Sequence, residues 1–130
     1  MQLDYFETRF KIEPPVDRLP DQFAILTAYQ TTGEQWTLER NQEATMRLED
    51  ELQKLGVLLG PVIGYSPRTG HAEPGFVALL SFEQACNLGQ RYQQDAVYFI
   101  RSGMLFVSHC DHRRAFNPVT QFLERVDVAD

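Results

Sequence analysis

Short apolar runs recur along the chain, and each is bounded by residues that break regular structure. They are "FAILTAY" (residues 23–29), "VLLGPVIG" (57–64), "FVALL" (76–80), "AVYFI" (96–100) and "MLFVSH" (104–109). Runs this short suit buried strands and fall far below what a bilayer span needs. Two of the gaps between them carry helix signals instead. In the first, Thr37 is an N-cap and Glu39 sits where the helix dipole favours an acid. Ala44, Leu48, Leu52 and Leu55 follow at helical spacing, and Gly56 suits the stop. In the second gap, Ser81 and Gln84 form a capping-box pattern. The helix they open gathers Phe82, Ala85, Cys86, Gly89 and Tyr92 on one face, and Gly89 lets that face lie close to a sheet. Gly60 and Pro61 interrupt "VLLGPVIG", which predicts an edge position or a bulge there. "RSG" (101–103) reads as a hairpin turn.

The resulting order, strand, helix, strand, strand, helix, strand, predicts an α+β fold with a ferredoxin-like split βαβ core. Its sheet is antiparallel and both helices lie on one face. An extra strand is expected at each end, within residues 3–12 and at 104–109. Between the first of these and the core, "EPPVDRLPD" (13–21) reads as a wrapping arm. Asn117 and Pro118 predict a short C-terminal helix over 118–126. A chain of 130 residues fits a single domain over 1–130. Within it, residues 1–22 form the strand and arm, 23–110 the core, and 111–130 the last helix and tail.

Composition narrows the function classes. The net charge is −6, which disfavours nucleic acid and anionic membrane as partners, although Arg101, Arg113 and Arg114 can make a local basic patch. "MQLDYFETRF" lacks the basic start and apolar run of an export signal. A reducing cytoplasm is therefore expected, with Cys86 and Cys110 free. No phosphate loop, dinucleotide fingerprint or G-x-S-x-G elbow is present, so no cofactor is expected.

The stretch "GYSPRTGHAEPGF" (64–76) is the strongest candidate for a site. The expected topology brings it to one end of the sheet with "QTTGEQW" (30–36), "QQD" (93–95) and "HCDHRR" (109–114). That end then holds all three histidines of the chain. His71 and Glu73, two apart on extended backbone, share a side. They can act as a general acid–base pair, or Glu73 can simply orient His71. Arg68 can hold a carboxylate or phosphate by a bidentate contact. Tyr65 and Trp36 can wall a pocket or pack the loop down, and Thr32 completes the candidate ligand-binding set of Arg68, His71, Glu73, Tyr65 and Thr32. The alternative is a turn that satisfies its own backbone. "HAE" (71–73) matches half of a zinc-deaminase motif, but the P-C-x-x-C half is absent. His109 and His112 are weaker metal candidates beside Cys110 and Asp111. Neighbours on a strand face opposite ways and no zinc-finger spacing occurs, so no metal is assigned. Cys110 is the better placed of the two thiols for nucleophilic work, while Cys86 belongs to an apolar helix face.

"FAILTAYQTTGEQW", "GYSPRTGHAEPGF" and "SFEQACNLGQRYQQDAVYFIRSGMLFVS" resemble, in this order, the bacterial domain-of-unknown-function family numbered 3293. The resemblance covers about residues 20–110, and its middle block is the most specific. It implies a compact bacterial protein of this size and brings no activity, cofactor or catalytic residue. The expected function is a binding module for a small polar or anionic ligand, or for a protein partner, at the 64–76 loop. The alternatives are a small hydrolytic enzyme using His71 and Glu73, or an assembly protein without a ligand. Either a monomer or a homodimer is compatible with the sequence.

Overall fold

A computed structural model describes residues 1–30 and 34–127. The chain begins with a 3₁₀ turn (Leu3–Phe6) and strand β1 (Arg9–Ile12). The proline-rich arm follows, with a second 3₁₀ turn (Val16–Arg18) leading into β2 (Gln22–Thr27). Helix α1 (Leu38–Lys54) then leads to the hairpin of β3 (Leu58–Tyr65) and β4 (Ala72–Ala78). Helix α2 (Phe82–Arg91) precedes β5 (Ala96–Arg101), β6 (Met104–His109) and β7 (Asn117–Gln121), and a last 3₁₀ turn (Phe122–Arg125) closes the order.

Both helices begin where their caps predict. The Thr37 side chain accepts from the Arg40 amide at 3.1 Å. Ser81 and Gln84 make the full reciprocal box, at 3.1 and 2.9 Å. Each bond satisfies an amide that would otherwise lack a partner in the first turn.

The strands form one seven-stranded sheet in the order β1-β3-β4-β2-β5-β6-β7, and each adjacent pair is antiparallel. Alternation along β2 divides the core. Ala24 and Leu26 face a cluster that includes Leu48 and Leu52 of α1 and Ala85, Cys86 and Leu88 of α2. Phe23 and Ile25 face the other side, with Phe10, Val62, Ile100 and Phe122. One sheet face is thus covered by both helices, while the other curls over itself. The curl brings the outer strand β1 to the chain's far end. Phe10 makes a bridge to Val126, and the Asp127 amide donates to the Phe10 carbonyl at 2.9 Å.

Three expectations need correction. The segment expected as a helix over 118–126 is strand β7 followed by a 3₁₀ turn, so the sheet is larger than the sequence suggested. Asn117 and Pro118 do not start a helix because the backbone of β6 is open to pair, and Val119 packs on the curled face. The first strand is also shorter than 3–12, since residues 3–6 form a turn. Finally, β4 begins at Ala72, so much of the expected loop is hairpin: Tyr65 pairs Ala72 and Gly64 pairs Glu73. Pro74 is tolerated because β2 pairs with β4 only from Gly75 onward. The bulge expected at Gly60 is present, between Leu58 and Gly60, in an interior strand flanked by β1 and β4. Among the described residues, no helix is long and apolar enough to cross a membrane.

Candidate functional site

The curl leaves a cavity of about 300 Å³ at the end of the sheet carrying the β3–β4 turn. Side-chain parity decides what enters it. Thr8 just before β1, Phe10 of β1, Ile25 and Thr27 of β2, Val62 and Gly64 of β3, Glu73 of β4 and Ala96 and Tyr98 of β5 all line it. Phe10, Ile25 and Val62 form an apolar floor, each buried. Polar groups also line it, with the buried Ser66 and the more exposed Thr69 and His71 from the turn and Gln94 and Asp95 from the segment before β5.

The turn over this cavity is ordered by its own bonds. The Ser66 amide donates to the His71 carbonyl and the Gly70 amide to the Ser66 carbonyl, both at 2.8 Å. The Ser66 hydroxyl accepts from the Thr69 amide, and the Thr69 hydroxyl from the His71 amide, each at 3.2 Å. Gly70 takes a positive φ of 77°, a conformation glycine adopts without penalty. This geometry presents His71 beside Glu73, with Nε2 3.2 Å from the carboxylate. The Tyr29 ring meets the imidazole edge to face at 5.9 Å. Burial pushes the Glu73 carboxyl above its ordinary pKa, and the adjacent His71 pulls the other way. The pair expected from its spacing is therefore assembled in the cavity lining.

The other candidates are placed differently. Tyr65 lines the cavity, but its hydroxyl donates to Asp127, which also accepts from Arg9 Nε at 2.9 Å. Arg68 does hold carboxylates, but they belong to the chain itself: it pairs with Asp4 and, at 3.2 Å, with Glu7. Its guanidinium ties the turn to the N-terminal segment and does not line the cavity. Thr32 lies outside the described residues. The cavity lining includes neither His109 nor His112. His109 sits opposite Ala96 at the end of β6, where burial and Arg113 lower its pKa, and His112 is exposed. Among the described residues, no group of three or more His, Cys, Asp or Glu could hold a metal ion. Cys86 and Cys110 are free and buried. Burial pushes the Cys110 thiol up to about 12, opposite to the lowered pKa that activates a nucleophilic cysteine. Arg113 pairs with Asp111 and Arg114 with Glu83, while Arg101 lies over the Phe116 ring.

Several contributors were not singled out from the sequence, although the segment 93–95 was expected at this end of the sheet. Gln94 fastens the end of β2 to the cavity rim, accepting from the Thr27 hydroxyl at 3.0 Å and donating to the Tyr29 carbonyl at 2.6 Å. Tyr98 lies within "AVYFI", and its two-residue spacing from Ala96 and Ile100 does put it on their face. Its hydroxyl donates to the Tyr5 carbonyl at 2.8 Å, and burial drives its pKa far up. Nothing local marks Tyr5 or Asp127.

A family model described as "Protein of unknown function (DUF3293)" matches residues 26–97, more than half of the chain. The chain belongs to the DUF3293 family. The matched stretch of this DUF3293 chain runs from the end of β2 to the start of β5, with the turn and the His71–Glu73 pair inside it. Tyr5, Phe10, Tyr98 and Asp127 complete the cavity and its closure from outside that stretch. No curated relative and no solved structure matches the chain.

Proposed function

We propose that this DUF3293 protein is a binding module that takes a small polar ligand into the cavity beneath the β3–β4 turn. One observation carries the reading: a concave site with an apolar floor has the His71–Glu73 pair in its lining. Small-ligand sites combine shape, apolar lining and a few convergent polar groups in this way. The test is an amide chemical-shift titration of the labelled protein with pools of small polar metabolites. Binding should shift residues on β2, β4 and β5 around the cavity and should be lost in His71→Ala and Glu73→Ala variants that remain folded. Ligand shifts confined to other surfaces would sink the reading. So would a variant that binds unchanged after residues 66–71 are replaced by a two-residue Asn-Gly turn.

The 3.2 Å His71–Glu73 contact also favours a second reading, in which His71 is a general base oriented by Glu73 and the protein hydrolyses a small ester or amide. Turnover of a panel of such substrates, abolished in His71→Gln, would support it. For the architecture, we read β2-α1-β3-β4-α2-β5 as a ferredoxin-like split βαβ core. The local order β3-β4-β2-β5 and the shared helix face support this.

A further inference from the structure

The charge of the cavity argues for a particular chemical class of ligand. Among the described residues, Asp4, Glu34, Glu73 and Asp95 line it, and no lysine or arginine does. The one cation that sequence alone would aim at a bound anion, Arg68, is occupied by Asp4 and Glu7. Asp4 is offset by that guanidinium, but an anion entering here would still meet Glu34, Glu73 and Asp95 with no lysine or arginine among the described residues lining the cavity, which is costly in a half-enclosed site.

The aromatic walls point the same way. Tyr5, Tyr65 and Tyr98 all line the cavity. The Tyr98 hydroxyl is spent on the Tyr5 carbonyl and that of Tyr65 on Asp127. Tyr98, on the face of Ala96, therefore contributes its ring to the cavity with its polar tip already partnered, whereas the Tyr65 side chain shares the side of its strand partner Arg9, away from Gly64 and Val62. Phe10 meets the Tyr98 ring edge-on at 5.1 Å, which holds that ring in place. Ring faces carry negative potential and attract cations within about 6 Å of the centroid. The Tyr65 ring is already taken in this way, with the Lys11 ammonium 5.1 Å from its centroid, which leaves Tyr98 as the ring for a ligand.

We propose that the ligand is a small organic cation, an amine, guanidine or quaternary ammonium compound. Its charge would lie near Glu73 and the Tyr98 ring, and its apolar part over Ile25 and Val62. This rests on the binding reading above and names the ligand class for the same cavity. A cavity of about 300 Å³ admits molecules of this size and excludes large ones.

The test compares probes of one shape and different charge by amide chemical-shift titration at fixed ionic strength. Choline is set against its neutral isostere 3,3-dimethylbutan-1-ol, and putrescine and agmatine against the dianion glutarate. At least one cation is expected to shift cavity residues. It should bind about tenfold or more tighter than the neutral or anionic probes, as charge-assisted contacts imply. Glu73→Gln should weaken that cation about tenfold, and Glu43→Gln, on the remote surface of α1, should leave it unchanged. Equal binding of the isostere, or preference for glutarate, would overturn the cation assignment and leave the binding reading standing. Cavity residues unmoved by every probe would also overturn the cation assignment, and the binding reading would then be decided by the metabolite-pool titration. A cation that binds Glu73→Gln and Glu43→Gln with equal loss is responding to net charge, which also overturns the assignment.

Discussion

Glu73 shows how one residue's environment sets its behaviour. On β4 its side chain turns into the curled face, where lost hydration disfavours the carboxylate and His71 only partly restores it. A carboxyl whose pKa is higher folded than unfolded binds more protons in the native state. Its contribution is therefore most favourable below the unfolded pKa and is lost as pH rises through the folded one. Glu73→Gln removes that titration. Melting temperatures of both proteins across about pH 4 to 7 should show the variant gaining on the parent as pH rises, then levelling off. Parallel curves would mean that Glu73 titrates no differently once folded. The sequence placed Glu73 beside His71 correctly, because two residues on extended backbone share a side over any distance the chain travels. The raised pKa was not legible, since it comes from walls built by β1, β2 and β5.

At the scale of elements, the seating of α2 on the sheet depends on one absent side chain. A Cβ at Gly89 would lie 2.7 Å from both Cys110 Sγ and Val97 Cγ1, atoms of fully buried residues. Gly89→Ala gains about 1 kcal/mol in helix propensity but incurs overpacking of about 1–3 kcal/mol. Neither buried neighbour has free space to move into, so net destabilisation is expected. Denaturant unfolding checks it, and adding Cys110→Ala should recover part of the loss. Full stability of the single variant would mean that the helix can lift without cost. The close approach was legible from the position of Gly89 on the apolar face of a capped helix. The same local grammar failed at Asn117-Pro118, because that pair starts a helix or an outer strand equally well. What decided the outcome was a vacant β6 edge and a place for Val119 on the curled face.

Across the whole molecule, the closure of the curl is the distinctive event. Arg9 and Tyr65 converge on Asp127, and the backbone of β1 pairs beyond Phe122 through Phe10 and Val126. Hydrogen bonds from Tyr65 and then Arg9 hold the Asp127 carboxyl below its ordinary pKa. The stabilisation is present above the unfolded carboxylate pKa and disappears as pH falls through the lower folded value. Asp127→Asn should speed amide exchange at Val126 and Asp127 and along β1 while leaving α1 and α2 protected. Uniform exchange across the molecule, or no change at β1, would mean that the closure is held by other contacts. The chain by itself determined the order of its core elements, both helix caps, the faces that turn inward and the meeting of His71 with Glu73. Each of these rests on residues within a few positions of one another, where periodicity and capping act. Tertiary structure alone decided the fate of Arg68, which meets Asp4 and Glu7 across 64 and 61 residues, and of Arg9, which meets Asp127 across 118. It also decided the acidic lining of the cavity. Those outcomes follow from how far the sheet curls, and curl is a sum over every strand pairing that no single stretch of sequence records.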